Sequence, residues 1–401
     1  MSQVIRIVLA GIGGYGENYV RSLISREQKG DPLRLVAVVD PAADRSPVDH
    51  LVADRPCFAD LSTCLDQYPA DLVLICSPIQ YHMEQINAAL DHGAHVLCEK
   101  PMCATLNEAL QLIGRQQQSG KQVGIGYQWS YSPAILRAKA DVLAGRYGDA
   151  QVLRTRVYWP RSQAYYDRNH WAGHLYSSDG RPVFDSVLNN ATAHYLHNML
   201  FFLGSTLNEA AIPEKIESRL LRAFDIETFD TALLRMEKSS QAGPVTLALA
   251  VSHSPDRTLD PSLDYRYSKG RLTVEDYRLR GYRTVSDPST DSEIVEEIDY
   301  GPIIGSDQVA DKVDALLESV RQGTPPVCGL LTASAHTAVV ATVHQQSETL
   351  VLQPPQYQLI QNDQGTWRVV PGLADLMDRF IDTLELPASL ADALRDPASG
   401  Q

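Results

Sequence analysis

Long apolar runs and basic clusters are both missing from this 401-residue chain. No uninterrupted apolar stretch approaches the roughly 20 residues of a membrane span, so a transmembrane helix is not expected. Net charge is −14, and no block of lysine and arginine interrupts the acidic background. Nucleic acid and anionic membrane surfaces are therefore poor partners. The six cysteines include no C-x-x-C pair, which argues against a cysteine-built zinc or redox centre. Five of them (Cys57, Cys64, Cys76, Cys98 and Cys103) fall in the amino-terminal part. Cys76 and Cys98 lie in apolar strand runs, where a thiol behaves as a small hydrophobe. The opening residues enter a strand pattern at once, leaving no room for a secretory signal, and a reducing, cytoplasmic setting is expected. Repeats and low-complexity tracts are absent. The length allows two domains with substantial cores.

What is present begins at Val4. An apolar run (Val4, Ile5, Ile7, Val8, Leu9) leads into Gly11-Ile12-Gly13-Gly14-Tyr15-Gly16. A helical pattern follows with Tyr19, Val20, Leu23 and Ile24 on one face, and a second apolar run, Leu35 to Val39, closes at Asp40. The glycines have separate tasks in such a unit: a tight turn, close backbone approach to a pyrophosphate, and close helix-on-strand packing. The helix N-terminus offers N–H groups and partial positive charge to phosphates. Asp40 stands where a carboxylate would accept ribose hydroxyls and repel a 2′-phosphate, which favours NAD over NADP.

Alternation continues. Asp71 to Cys76 reads as a strand, Tyr81 to His92 as a helix, Ala94 to Cys98 as a strand, Leu106 to Gln118 as a helix and Gln122 to Gly126 as a strand. That rhythm predicts parallel βαβ units and a doubly wound, Rossmann-type α/β domain over residues 1–128. Its ligands should lie at the carboxyl ends of the strands. Residues 129–350 read as a second α/β domain. Helices are expected near Pro133 to Ala144, Asn189 to Leu203 and Asp307 to Gln322, with a strand at Gln151 to Tyr158 and a hairpin turn at Lys269-Gly270. In Thr246 to Ser252, Leu247, Leu249 and Val251 face one way, while Thr246, Ala248, Ala250 and Ser252 form a small, flat opposite face. This suits an open, mostly antiparallel sheet with helices on one side and another surface, such as a second subunit, on the other. Residues 351–401, with a helix at Leu373 to Leu384, form an extension expected to pack on the second domain.

Two strand-end loops face the expected crevice: Cys76-Ser77-Pro78-Ile79-Gln80-Tyr81-His82 and Cys98-Glu99-Lys100-Pro101. In that position Lys100 can direct its ammonium at a substrate hydroxyl beside a nicotinamide. Gly11 to Gly16, Ser77-Pro78 with His82, and His95 to Pro101 resemble the glucose–fructose oxidoreductase / inositol dehydrogenase (Gfo/Idh/MocA) family, with similarity covering about residues 4–350. The resemblance implies a Rossmann domain and a second domain with an open, mostly antiparallel sheet. It further implies NAD or NADP as cofactor, sugar or polyol substrates, and homodimers or homotetramers formed through the second sheet. A cis bond before Pro101 would set the aim of Lys100.

The family motif Asp-x-Gly-x-His-x-x-Asp, laid on Gly204, puts its histidine at His194. Its aspartates become Asn190 and His197 and its glycine Thr192, so the histidine is kept while both carboxylates are lost. Asp185 could supply a carboxylate by another route. The segment Gly126 to Pro133 resembles the family's crossover and nominates Gln128 on the nicotinamide side, although many relatives have arginine where this chain has Ser130. The cofactor set expected is thus Gly11, Gly13, Gly14, Tyr15, Gly16, Asp40, Ser77, Pro78, His82, Glu99 and Gln128, with Lys100 and His194 catalytic. For the substrate, the loop Trp159 to His174 offers Arg161, Tyr166, Arg168 and Trp171, beside Asp185, Asn190 and His197. Arginines Arg154, Arg156, Arg161 and Arg168 share residues 151–178 with one acid, Asp167, which suggests an anionic substrate group. A metal site on His194, His197 and His170 or His174 finds no carboxylate or cysteine at ligand spacing, and none is expected.

The chemistry expected is hydride transfer between nicotinamide and a secondary alcohol, with Lys100 and His194 converging on one carbon. Two alternatives share the fold: a redox-assisted NAD-dependent glycoside hydrolase, and a non-catalytic NAD- and sugar-binding regulator.

Overall fold

A computed structural model describes residues 4–286, 293–363 and 365–395, so the first residues of the expected first domain and the last of the expected extension lie outside the described residues. The chain divides into two units, one holding residues up to 131 plus 305–337, the other 132–304 plus the remainder.

The first unit alternates as its apolar pattern requires: β1 (Ile5–Ala10), α1 (Gly16–Gln28), β2 (Leu33–Val39), β3 (Cys57–Phe58), α2 (Leu61–Gln67), β4 (Leu72–Ile75), α3 (His82–Asp91), β5 (His95–Cys98), α4 (Leu106–Ser119) and β6 (Val123–Ile125). The strands are all parallel, in the order β3-β2-β1-β4-β5-β6. Every residue of β4, and Ile7 to Ala10 of β1, is buried, as strands covered on both faces must be. Strand order reverses between β1 and β4, and ligands of doubly wound sheets bind at such a point. The short pair β3 and α2 escaped the sequence reading. A two-residue strand carries no period, and α2 announces itself only through its cap, in which Asp60 accepts from Thr63 N at 2.7 Å.

The second unit contains α5 (Pro133–Leu143), β7 (Ala150–Tyr158), α6 (Gln163–Asp167), α7 (Ala193–Phe202), β8 (Lys215–Arg222), β9 (Thr231–Ser240), β10 (Gly243–Ser252), β11 (Leu259–Tyr267), β12 (Gly270–Glu275), β13 (Arg278–Ser286) and β14 (Glu293–Pro302). Then follow α8 (Gln308–Gln322), α9 (Leu330–Gln346), β15 (Thr349–Val351), β16 (Gln358–Asn362), β17 (Gly365–Val369), α10 (Leu373–Thr383) and α11 (Leu390–Arg395), of which α8 and the first half of α9, to Thr337, belong to the first unit. A nine-stranded sheet runs β14-β13-β12-β11-β7-β10-β9-β8-β15, antiparallel except for the β7–β10 and β8–β15 pairs. The hairpin expected at Lys269-Gly270 joins β11 to β12.

Three features depart from the sequence reading. Residues 305–337 go with the first unit, because Val309, Val313 and Leu316 of α8 pack into the Rossmann core with Leu9, Val20, Leu74 and Leu97. The small face of β10 is covered by the chain's own extension: Leu373, Met377 and Phe380 of α10 pack on Ala248 and Ala250. That patch is closed to a second subunit. Helix α7 starts at Ala193, not Asn189, because Thr192 Oγ1 donates to Val187 O at 2.6 Å and holds the preceding residues in turns.

Candidate active site

In the first unit the glycine loop is shaped by close backbone crossings. Gly11 has φ +85°, and a Cβ there would lie 2.7 Å from Cys76 C and Ser77 N. A Cβ on Gly16 would lie 2.2 Å from Gly11 O. Gly13, by contrast, has nothing within 4 Å of where its Cβ would be, an open cradle before the first turn of α1. Asp40 accepts from Ile12 N at 3.0 Å and Ala42 N at 2.9 Å, one bond on each oxygen, which leaves lone pairs for further donors. Open cradle, helix N-terminus and pinned carboxylate together fit a dinucleotide's pyrophosphate and ribose.

The two strand-end loops are tied together beside it. The His82 ring is buried with Nε2 2.8 Å from Ser77 O and Nδ1 2.8 Å from Pro101 O, so it acts on those loops rather than facing solvent. Burial holds its pKa below the usual histidine range. Ser77 Oγ donates to Gln85 Oε1 at 2.5 Å, and the Lys100–Pro101 bond is cis. Glu99 is buried, accepting from Tyr19 Oη at 2.8 Å and from Lys100 N at 3.2 Å, and it forms an ion pair with Lys312 of α8. Tyr15 Oη reaches Gln128 Oε1 at 3.4 Å.

In the second unit, α7 buries every residue except His194, whose Nδ1 is shut off from solvent. His197 is turned inward and stacks on Phe201 at 5.9 Å, which gives it no surface for a ligand. Ahead of α7, Asp185 is buried and accepts from Gly173 N at 2.7 Å and Asn190 Nδ2 at 2.9 Å, with Arg168 Nη2 3.9 Å away. A carboxylate therefore stands beside the residue that replaces the family's first aspartate. Phe184, just before it, has φ +50°, a conformation that costs a side-chain-bearing residue about 1–3 kcal/mol and persists only where surroundings enforce it. Those surroundings include the His344 ring at 5.2 Å.

The loop after β7 gathers cations and rings. The Arg161 guanidinium lies 5.3 Å from the Trp159 ring and 5.1 Å from that of Tyr165, and among the described residues no carboxylate pairs with it. Arg168 lies 3.9 Å over Tyr165 and 5.4 Å from Trp171. Trp159 packs edge-on against Tyr195, the neighbour of His194. Tyr166 is buried, with its hydroxyl 2.8 Å from His253 Nδ1. Among the described residues no three His, Cys, Asp or Glu side chains are grouped to hold a metal.

Two participants were not foreseen. Lys312 occupies the apolar stripe Val309, Val313, Leu316 of an amphipathic helix, and a charge on such a stripe was the available signal. His253 follows the end of β10 and gave no pattern beyond that position.

Residues 5–127 match the family model of the Gfo/Idh/MocA oxidoreductases, described as an oxidoreductase family with an NAD-binding Rossmann fold. This amino-terminal domain belongs to that family. An inositol 2-dehydrogenase of Streptomyces avermitilis is 30% identical over 157 residues, 38% of this chain and 44% of that protein. A 1-carboxy-3-chloro-3,4-dihydroxycyclohexa-1,5-diene dehydrogenase of Comamonas testosteroni is 32% identical over 122 residues, 29% of this chain and 31% of that protein. The chain thus matches only 31% and 44% of the length of these two curated relatives. Among solved structures, an Agrobacterium radiobacter oxidoreductase in complex with NAD+, L-tartaric acid and magnesium has TM-score 0.68 at 15% identity, covering 86% of this chain and 96% of that one. The WlbA dehydrogenase of Bordetella pertussis, in complex with NADH and UDP-GlcNAcA, has TM-score 0.66 at 19% identity with the same coverage. These likenesses show a fold shared over most of the chain.

Proposed function

We propose that this protein is an NAD-dependent oxidoreductase moving hydride between nicotinamide and a secondary alcohol of a sugar, polyol or sugar acid. The observation that carries the reading is Lys100, two residues beyond the carboxyl end of β5, in the same domain as the glycine cradle and Asp40. Asp40 accepts ribose hydroxyls and disfavours a 2′-phosphate. Tyr15, Ser77, Pro78 and Gln128 complete the cofactor contacts, while His82 acts through the Ser77 and Pro101 carbonyls and the buried Glu99, expected as a contact itself, acts through Lys100 N and Lys312.

A bound nicotinamide supplies the hydride acceptor, so the chain has mainly to orient the alcohol and handle one proton. His194 exchanges the hydroxyl proton at Nε2, its Nδ1 being inaccessible. Lys100 polarises the oxygen as it becomes a carbonyl. Asp185 and Asn190 receive substrate hydroxyls as one hydrogen-bonded pair. Arg161, Arg168 and Trp171 hold an anionic group; Tyr166 and His197, expected beside the substrate, are buried and take no direct part. An arginine stacked on rings, with no carboxylate partner among the described residues, is suited to bidentate capture of a substrate's carboxylate.

The test is NADH absorbance across matched neutral sugars, polyols and sugar acids. Turnover is expected, with acids preferred, and Arg161→Ala should reduce kcat/KM on acids by about tenfold or more while sparing neutral sugars. No NADH from any alcohol would overturn the reading. Equal turnover of both classes, unchanged in Arg161→Ala, would remove the anionic group from it.

The rings of Trp159, Tyr165 and Trp171 favour one second reading, redox-assisted cleavage of a glycoside, identified by hydrolysis without net NADH. Six free thiols support a reducing, cytoplasmic setting, and no described helix is long and apolar enough to cross a membrane. A homodimer or homotetramer would use the strands of the nine-stranded sheet that α10 leaves uncovered.

A further inference from the structure

The first unit contains a buried cation that the proposed chemistry does not use. Lys312 has no exposed surface, and its ammonium pairs with Glu99 while lying 4.8 Å from the Tyr15 ring centroid and 4.9 Å from that of Tyr19. Tyr15 is part of the glycine loop, and Glu99 opens the turn that carries Lys100 through the 3.2 Å bond from Lys100 N. The carboxylate is boxed in from other sides as well. Tyr19 Oη donates to it, and a Cβ on Gly126 would lie 2.7 Å from its Oε1, so only glycine fits there. Helix α8, which brings Lys312, is fastened to α1 by Ser22 Oγ donating to Asp307 Oδ2 at 2.7 Å, and Asp307 itself caps α8.

A lysine without water must be paid for by its partners, and a buried pair is weak evidence for stability alone. The placement of this one has a more specific consequence. We infer that Lys312 is a positioning residue for the dinucleotide end, holding the Glu99-Lys100 turn and the Tyr15 side of the glycine loop in one arrangement through a single ammonium. A segment far along the chain thereby becomes a working part of the nucleotide domain. The inference rests on the proposed NAD-binding reading.

The test compares wild type, Lys312→Met and the neutral double variant Glu99→Gln/Lys312→Met by thermal melting, NADH fluorescence titration, and amide hydrogen exchange of residues 11–16 and 99–101 in cofactor-free protein. Lys312→Met should melt lower and bind NADH about tenfold or more weakly, since one partner of a buried pair is left alone. The double variant should regain most of the melting temperature. Its exchange in the two loops should stay fast and its NADH affinity low, because Tyr15 and the turn have lost their shared cation. Affinity and protection that return fully with melting temperature, or Lys312→Met binding NADH as wild type does, would overturn the inference. Failure of every variant to fold would reduce Lys312 to a fold residue and overturn it too. Wild-type protein that binds neither NADH nor NADPH would instead sink the NAD-binding reading itself.

Discussion

The candidate cofactor site of the amino-terminal unit is built largely from backbone, whereas the second unit builds its candidate site from side chains. Gly11, Gly13 and Gly16 act by lacking a Cβ, and Asp40 is pinned by two main-chain amides. Around Asp185 the work is done by Asn190, Arg168 and a backbone forced into φ +50° at Phe184, and around Arg161 by aromatic faces. Backbone geometry suits a part common to every dinucleotide. Side-chain geometry is free to change with the substrate.

The largest expected effect breaks the comparison at its chemistry. Lys100→Ala and His194→Ala should each lower kcat by about 10²–10⁴-fold, the usual contribution of a general acid–base, while NADH titration stays near wild type. Full turnover in either variant would remove that residue from catalysis. The next sharpens the backbone side. Gly16→Ala forces a Cβ to 2.2 Å from a carbonyl oxygen and should lose about 1–3 kcal/mol in a denaturant titration, as overpacked sites do. Gly13→Ala, with open space, should leave stability unchanged and weaken NADH binding. Equal stability losses at both positions would show that the cradle is not shaped as described.

The remaining effect is one of pH, in the second unit. Burial lowers the His344 pKa to about 4, from an ordinary histidine value of 6.5. Between those values the unfolded chain binds a proton that native His344 refuses, so stability falls as pH drops from 6.5 toward 4 and then levels. The contribution is at most about 1.4 kcal/mol per pH unit. His344→Asn should flatten that part of the melting-temperature profile relative to wild type, and parallel profiles would contradict it.

Backbone-built features were the legible ones. Glycine spacing, strand–helix alternation and Asp40 were readable because each local pattern has one common structural solution. Lys100, His82 and Pro101 were located by position at strand ends. The site around Asp185 was only half visible: the carboxylate was noticed, but its bond to Asn190 depends on turns before α7 that the helical pattern had absorbed. Return of 305–337 to the first unit and closure of the β10 face by α10 were not legible, because an amphipathic stripe states that a surface will be buried and not against what.

The most direct test of hydride chemistry uses a substrate deuterated at the reacting carbinol carbon. Incubated with NAD and the protein, it should yield nicotinamide cofactor one deuterium heavier by mass spectrometry, with transfer slowed about 10²–10⁴-fold in His194→Ala. Tight binding of NAD and sugar with no deuterium reaching the cofactor under any substrate would contradict the account and mark the protein as a non-catalytic binder.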